Sequence, residues 1–206
     1  MQTINFIFPL IILLFSAIVH EVAHGYAALF QGDSTAKYEN RLTLNPLKHI
    51  DPFGSVILPL MLYVFGSPVL FGWAKPVPFN PYNLRNRKWG EALVAVAGPA
   101  INIVIAVIFG LILRFGAAFL SAPVIFIISM IVFINIILAV FNLVPIAPLD
   151  GSKILFALLP ASAVRVRQFM EKYSIFLILF FIFVLWGYVF PVIALLFTLI
   201  TGMRFV

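Results

Sequence analysis

His20-Glu21-Val22-Ala23-His24 forms the pattern HExxH. On a helix, residues four apart share a face, so both imidazoles can reach one metal ion. Neutral imidazole nitrogen suits Zn2+ at about 2.0–2.1 Å. Glu21 beside them is a carboxylate able to take a proton from water in an open coordination position, where zinc brings the water's pKa to roughly 7. The chain holds 3 His and 7 Asp plus Glu in 206 residues, so chance assembly of the pattern is on the order of one in a thousand. The competing reading is a pair of interhelical hydrogen-bonding histidines. It leaves Glu21 as a further, uncompensated carboxylate within the membrane.

A catalytic zinc usually takes three protein ligands and keeps one position open. The chain has no Cys, so the third ligand must be His, Asp or Glu, and none follows His24 in helical register. Asp150 is the best placed. It lies in Asn142-Leu143-Val144-Pro145-Ile146-Ala147-Pro148-Leu149-Asp150-Gly151, just past an apolar span. The prolines there prevent regular helix, and Gly151 lets the backbone turn beside the carboxylate. Taken alone, Asp-Gly reads equally well as an ordinary turn; paired with HExxH it reads as a ligand. Glu39, Glu91 and Glu171 are the other carboxylates weighed as third ligand, and none sits in a Pro/Gly-rich bend after a span. Asn142 divides evenly between a catalytic role, stabilising an oxyanion, and a polar interhelical contact. Asn102 reads as structural, bonding within a helix packed closely through Gly98. His49 reads either as a neighbour of the site or as an interfacial residue.

These side chains need a membrane scaffold to carry them. Hydrophobic residues make up 64% of the chain and charged residues 10%, against about 25% charged in a soluble domain. So few charges cannot cover a water-exposed surface of this size. Apolar runs cover about Asn5–Phe30, Glu91–Leu113 and Pro123–Leu143, each long enough to span a bilayer. Ser55–Trp73 is apolar but broken by Pro59, Gly66, Pro68 and Gly72. Tyr173–Gly202 is a long apolar stretch interrupted by Gly187 and Pro191, readable as one kinked helix or a tight hairpin. The expected fold is an all-α polytopic membrane protein. Its core is three transmembrane helices plus a re-entrant or interfacial segment, with short β-strands in polar stretches such as Thr35–Leu44. One or two further membrane segments follow at the C-terminus. The chain reads as a single membrane-embedded domain over 1–206, with a catalytic core of about 4–159 and a C-terminal membrane segment of about 173–202. Met1–Asn5 carries no Lys or Arg, and the first apolar run leads into HExxH, so a cleavable signal peptide is not expected.

The net charge of +6 would raise nucleic acid as a partner in a soluble chain. Here the basic residues lie in short stretches between apolar runs, which fits positive-inside topology and anionic lipid headgroups. For His24 and Asp150 to meet at one metal, an even number of crossings must separate them. Glu91–Leu113 and Pro123–Leu143 supply two, so Ser55–Trp73 is predicted not to cross. Lys75, Arg85, Arg87 and Lys88 then share a side with Arg165, Arg167 and Lys172, and that side should be cytoplasmic.

HEVAH (His20–His24), AGPAIN (Ala97–Asn102) and FNLVPIAPLDG (Phe141–Gly151) together resemble the site-2 proteases, a family of zinc-dependent intramembrane proteases. The resemblance covers about Ile4–Leu159, and RLTLNPLKHIDPFGS (Arg41–Ser55) looks like its short bacterial members. It implies one zinc per chain on His20, His24 and Asp150, Glu21 as the base, and a bacterial cell membrane setting. It also implies transmembrane protein substrates cut in regulated proteolysis, such as the anchors of anti-sigma factors. The chain departs from the family at Ala147, where many members have proline. Other readings are a metal transporter or metal-binding membrane protein, and an inactive scaffold relative. Glu21 separates them, since a transit site needs no base beside an open zinc position.

Overall fold

The computed structural model describes residues 2–66, 74–86 and 88–204. Its first element is α1 (Gln2–Phe30). The helix ends in a Schellman arrangement, with Asp33 N–H on Ala28 O and Gly32 N–H on Leu29 O. Gly32 takes φ 106° to make that turn, a left-handed value that glycine adopts without penalty. Asp33 then starts α2 (Thr35–Tyr38) by accepting from Thr35 N–H and Thr35 Oγ1–H. The predicted strand over Thr35–Leu44 is therefore replaced by a helical turn. Asp33 seeds the helix, and Ala36 buries against the end of α1 instead of pairing with an edge.

The same Asp33 carboxylate accepts from Asn80 N–H at 2.7 Å and Asn83 Nδ2–H at 2.8 Å. It thus ties the end of α1 to the segment that leads into the second span. Burial alone would raise this carboxyl. The hydrogen bonds from Thr35, Asn83 and the Asn80 amide outweigh burial and hold it below its ordinary range. What Asp33 adds to stability is therefore present above the ordinary carboxylate range and fades as pH falls through the depressed value.

Pro52–Ile57 is a π-helical turn capped by Asp51, and α3 (Leu58–Val64) continues it. Together they rise no more than about 20 Å, short of the roughly 30 Å of a hydrocarbon core. This part of the predicted re-entrant segment does not cross. Its remainder, Ser67–Trp73, lies outside the described residues, as does Arg87.

The second span is α4 (Gly90–Gly116) and the third is α5 (Ala122–Asn142). Along α4 the buried face runs Gly90, Val94, Gly98, Asn102, Ala106 and Gly110, one residue every four. Small residues at that spacing let helices approach closely in lipid. α4 is accordingly the central helix, packed against both α1 and α5. Asp150 opens α6 (Asp150–Leu158), and the basic α7 (Val164–Lys172) follows. The C-terminal stretch is one continuous helix over Ser174–Thr201: α8 (Ser174–Phe180), a π turn at Phe181–Leu185, and α9 (Trp186–Thr201). The hairpin alternative is therefore not what the chain adopts. Pro191 is absorbed within the helix, and Gly110 of α4 sits hard against Ile200 of α9. Ala106, Leu113, Val132, Ile136, Ile193 and Phe197 form the core where α4, α5 and α9 meet. Four helices are long and apolar enough to cross a membrane, and no strand occurs among the described residues.

Candidate metal centre

α1 places His20 and His24 one turn apart with their rings edge to face, 4.6 Å between centroids. His24 lies six residues before the end of α1 and His20 ten, or about 9 and 15 Å along the axis. The cluster therefore lies within the length of α1, about two to three turns from its C-terminal end.

Asp150 comes to them from 130 residues away. Its Oδ2 lies 3.1 Å from His20 Nε2 and 3.0 Å from His24 Nε2. Among the described residues, two candidate spans, α4 and α5, lie between the contacting residues. The Leu143–Leu149 bend delivers the carboxylate, closed by Val144 N–H on Phe141 O and Leu149 N–H on Ile146 O and containing a cis Ala147–Pro148 peptide. Gly151 lies so close to the Leu143 carbonyl that a Cβ there would collide with backbone. The other carboxylate oxygen, Oδ1, receives Lys153 Nζ at 3.3 Å, and Lys153 also stands over the Phe79 ring.

The far nitrogens of both rings are committed. His24 Nδ1–H donates to the Val94 carbonyl at 2.7 Å, and a carbonyl can only accept. His20 Nδ1–H donates to Asn102 Oδ1. The orientation of that amide is set because its Nδ2–H donates to Asn135 Oδ1 at 2.8 Å and to Ser16 O. Asn135 in turn donates to Ser16 Oγ and Ile131 O. With both Nδ1 atoms committed elsewhere, it is the two Nε2 atoms that face the Asp150 carboxylate oxygen. The carboxylate oxygen lies 3.0–3.1 Å from each ring nitrogen, a set of two nitrogens and one oxygen of the kind that holds zinc. Tetrahedral zinc would separate such atoms by about 3.4 Å.

Gly98 gives an independent sign of a cradle. A Cβ built on it would stand 2.5 Å from both Nε2 atoms, so the missing side chain leaves room where the three donors converge. All three donor residues are shut from solvent, at 5%, 7% and 6% exposure for His20, His24 and Asp150. Donor chemistry, convergence and the glycine cradle fit a zinc ion.

Glu21 is close but held separately. His20, Glu21 and His24 offer atoms within 4.8 Å of one another, and the Asp150 oxygen reaches the two rings but not Glu21 in any hydrogen bond or ion pair among the described residues. Glu21 Oε2 accepts the Val77 N–H at 2.9 Å, which turns its carboxylate toward the loop beside the cluster. Asn142 donates to the Leu138 carbonyl of its own helix at 2.9 Å. His49 is fully buried and donates through Nε2 to Thr43 O; among the described residues its hydrogen bonds run to the polar segments around it and not to the cluster. Of the carboxylates weighed against Asp150, Glu171 pairs with Arg167.

Asn102, Asn135, Ser16, Gly98 and the Val94 carbonyl escaped a reading of the sequence as parts of this site. Three of them are polar side chains in apolar runs, which is the signal that could have found them, since such groups are costly in lipid without a partner. Asn102 bonds across helices to His20, where the sequence suggested bonding within its own helix.

The family model described as Peptidase family M50 matches residues 112–185, which include α5 and the Asp150 bend; the imidazole pair lies upstream of that stretch. The chain is 39% identical over 180 residues to "Putative zinc metalloprotease YwhC" of Bacillus subtilis (strain 168), covering 82% of this chain and 78% of that one. It is 34% identical over 143 residues to "Putative zinc metalloprotease Rip2" of Mycolicibacterium smegmatis. It is 28% identical over 142 residues to the protein of that name in Mycobacterium tuberculosis (strain H37Rv). Each Rip2 alignment covers 67% of this chain and 52% of the relative, so the chain spans about half the length of those two proteins. No solved structure matches it. Identity at the YwhC level over four fifths of the chain, with four helices among the described residues long and apolar enough to cross a membrane, makes this chain a member of peptidase family M50, the site-2 protease family of metalloproteases.

Proposed function

We propose that the chain hydrolyses peptide bonds of transmembrane protein substrates, with one zinc ion held by His20, His24 and Asp150 and with Glu21 as general base. The observation that carries this is the meeting of two imidazole Nε2 atoms and a carboxylate oxygen from opposite parts of the chain, within 3.1 Å. Zinc, when bound, supplies Lewis acidity to the scissile carbonyl and to water. Asn102 and Val94 fix the imidazole tautomers and keep both rings aimed. Glu21 keeps one oxygen on the Val77 amide and has the other to take the water's proton, which it later delivers to the leaving nitrogen. Asn142 spends one amide hydrogen on Leu138 and has a second to donate to the developing oxyanion. A substrate helix must unwind first, because its carbonyls are occupied by internal bonds.

The test is cleavage of a single-span reporter by the purified chain in liposomes, abolished by a zinc chelator and restored by added zinc. Uncut reporter under zinc-replete conditions would refute the peptidase reading.

The cluster belongs, in this reading, toward the cytoplasmic face of a bacterial cell membrane. Two spans separate His24 from Asp150, so α2, the Lys75–Lys88 stretch and α7 share one side with the end of α1. That side carries most of the basic residues, and positive-inside bias makes it cytoplasmic. Because the chain has no Cys, a Lys88→Cys variant offers one thiol. It is expected to resist an impermeant thiol reagent on intact cells and to react after permeabilisation. Labelling from outside would overturn this topology.

A further inference from the structure

The most constrained piece of chain beside the cluster is not a helix. Lys75-Pro76-Val77-Pro78-Phe79 runs extended past α1 with no regular element. Proline has no N–H, and it drives the residue before it into extended backbone. Lys75 and Val77 both precede prolines. The segment is therefore stiff, and Val77 supplies the single N–H between Pro76 and Pro78. That N–H is the one on Glu21 Oε2.

What holds this strap in place is Arg41. Its guanidinium Nη2–H donates to Lys75 O at 2.9 Å and to Pro76 O at 3.2 Å, so it grips the two carbonyls immediately before Val77. Arg41 is 6% exposed and makes no ion pair among the described residues. Its Nε is buried and has no hydrogen-bond partner among the described residues. A guanidinium taken out of water to hold carbonyls alone carries a desolvation cost, and stability is a poor reason to keep it. The strap has two other anchors. Lys75 N–H donates to the carbonyl of fully buried His49 at 2.8 Å. The Val77 side chain packs on Gly25, where an added Cβ would stand 2.8 Å from Val77 and 2.5 Å from Leu42. Arg41 and its neighbour Leu42 therefore press the strap onto α1, one turn beyond Glu21.

We propose that Arg41 is a positioning residue for Glu21, holding the Lys75 and Pro76 carbonyls so that the lone Val77 N–H keeps the Glu21 carboxylate fixed beside the cluster. This rests on Glu21 being the general base. Arg41 touches neither donor set nor base, and it acts through the strap.

Arg41→Met removes the guanidinium and keeps an apolar stem of similar reach, whereas Arg41→Lys keeps a cationic donor. The full chain in detergent or liposomes is read three ways: hydrogen exchange at the Lys75–Phe79 amides, bound zinc, and kcat and KM on a single-span reporter. In Arg41→Met, exchange at the Val77 amide is expected to accelerate. Its kcat is expected to fall about 10- to 100-fold, the scale of a misplaced catalytic group. KM and bound zinc stay at wild-type values, and Arg41→Lys recovers most of the rate. Unchanged Val77 exchange overturns the proposal. So does a raised KM with kcat intact, which would make Arg41 a substrate-binding residue, or loss of zinc, which would make it a general strut. Exchange and zinc are read without substrate. A wild-type chain that cuts nothing would therefore refute the peptidase reading, while Val77 exchange still decides whether Arg41 holds the strap.

Discussion

Glu21→Gln is expected to keep one zinc per chain and to cut the reporter about 10²- to 10⁴-fold more slowly than the wild type, the usual worth of a positioned acid–base group. The substitution is close to isosteric. The glutamine carbonyl can still accept the Val77 N–H that now holds Glu21 Oε2, so the side chain keeps its place. The metal donors are untouched, because His20 and His24 are oriented by Asn102 and Val94 and not by Glu21. Only the ability to take a proton is lost. Zinc content and cleavage rate measured on the same preparation separate the two effects. Wild-type cleavage by the variant would remove Glu21 from the base role, and zinc loss would show it to be a ligand.

Gly98→Ala is expected to empty the site. The added Cβ would stand 2.5 Å from each Nε2, closer than nonbonded atoms tolerate. The rings cannot simply turn away, because Val94 and Asn102, which hold their other nitrogens, lie on the same helix as Gly98 one turn to either side. Ala is a good helix residue, so insertion and overall fold should survive. Zinc affinity is expected to fall by at least the 10- to 100-fold that disturbed supporting contacts cost, and reporter cleavage should fall with it. Equilibrium zinc binding to wild type and variant checks this. A variant binding zinc as tightly as wild type would show that the cradle beside Gly98 is not where the ion sits.

Some of this protein is written openly in its sequence. HEVAH is contiguous, so helical period alone brings its two imidazoles together. The spans follow from composition, and the two crossings between His24 and Asp150 follow from where the spans lie. What stayed hidden depends on packing register. Nothing local says that Asn102 will meet His20, or that Asn135 will orient the Asn102 amide, because those pairs form only when α1, α4 and α5 dock. The Val94 carbonyl and the Val77 N–H are backbone groups, and residue type does not mark them. Thr35–Leu44 misled as a strand because its alternation is short and Asp33, already in place, starts a helix there. Gly187 and Pro191 left the final segment open between hairpin and helix. Lipid decides for the helix, since a broken backbone there would expose polar groups with no water to satisfy them.

The metal set itself is the centre of the account, and Asp150→Ala beside Asn142→Ala addresses it most directly. Zinc bound per folded chain, and its affinity, should be measured for both variants and the wild type. A carboxylate oxygen is a normal zinc donor and a neutral amide an uncommon one. Asp150→Ala is therefore expected to lose zinc affinity and activity together, since two imidazoles alone make too small a ligand set. Asn142→Ala is expected to hold zinc like the wild type while cutting the reporter more slowly. Wild-type zinc affinity in Asp150→Ala would contradict the assignment of His20, His24 and Asp150 as the metal site.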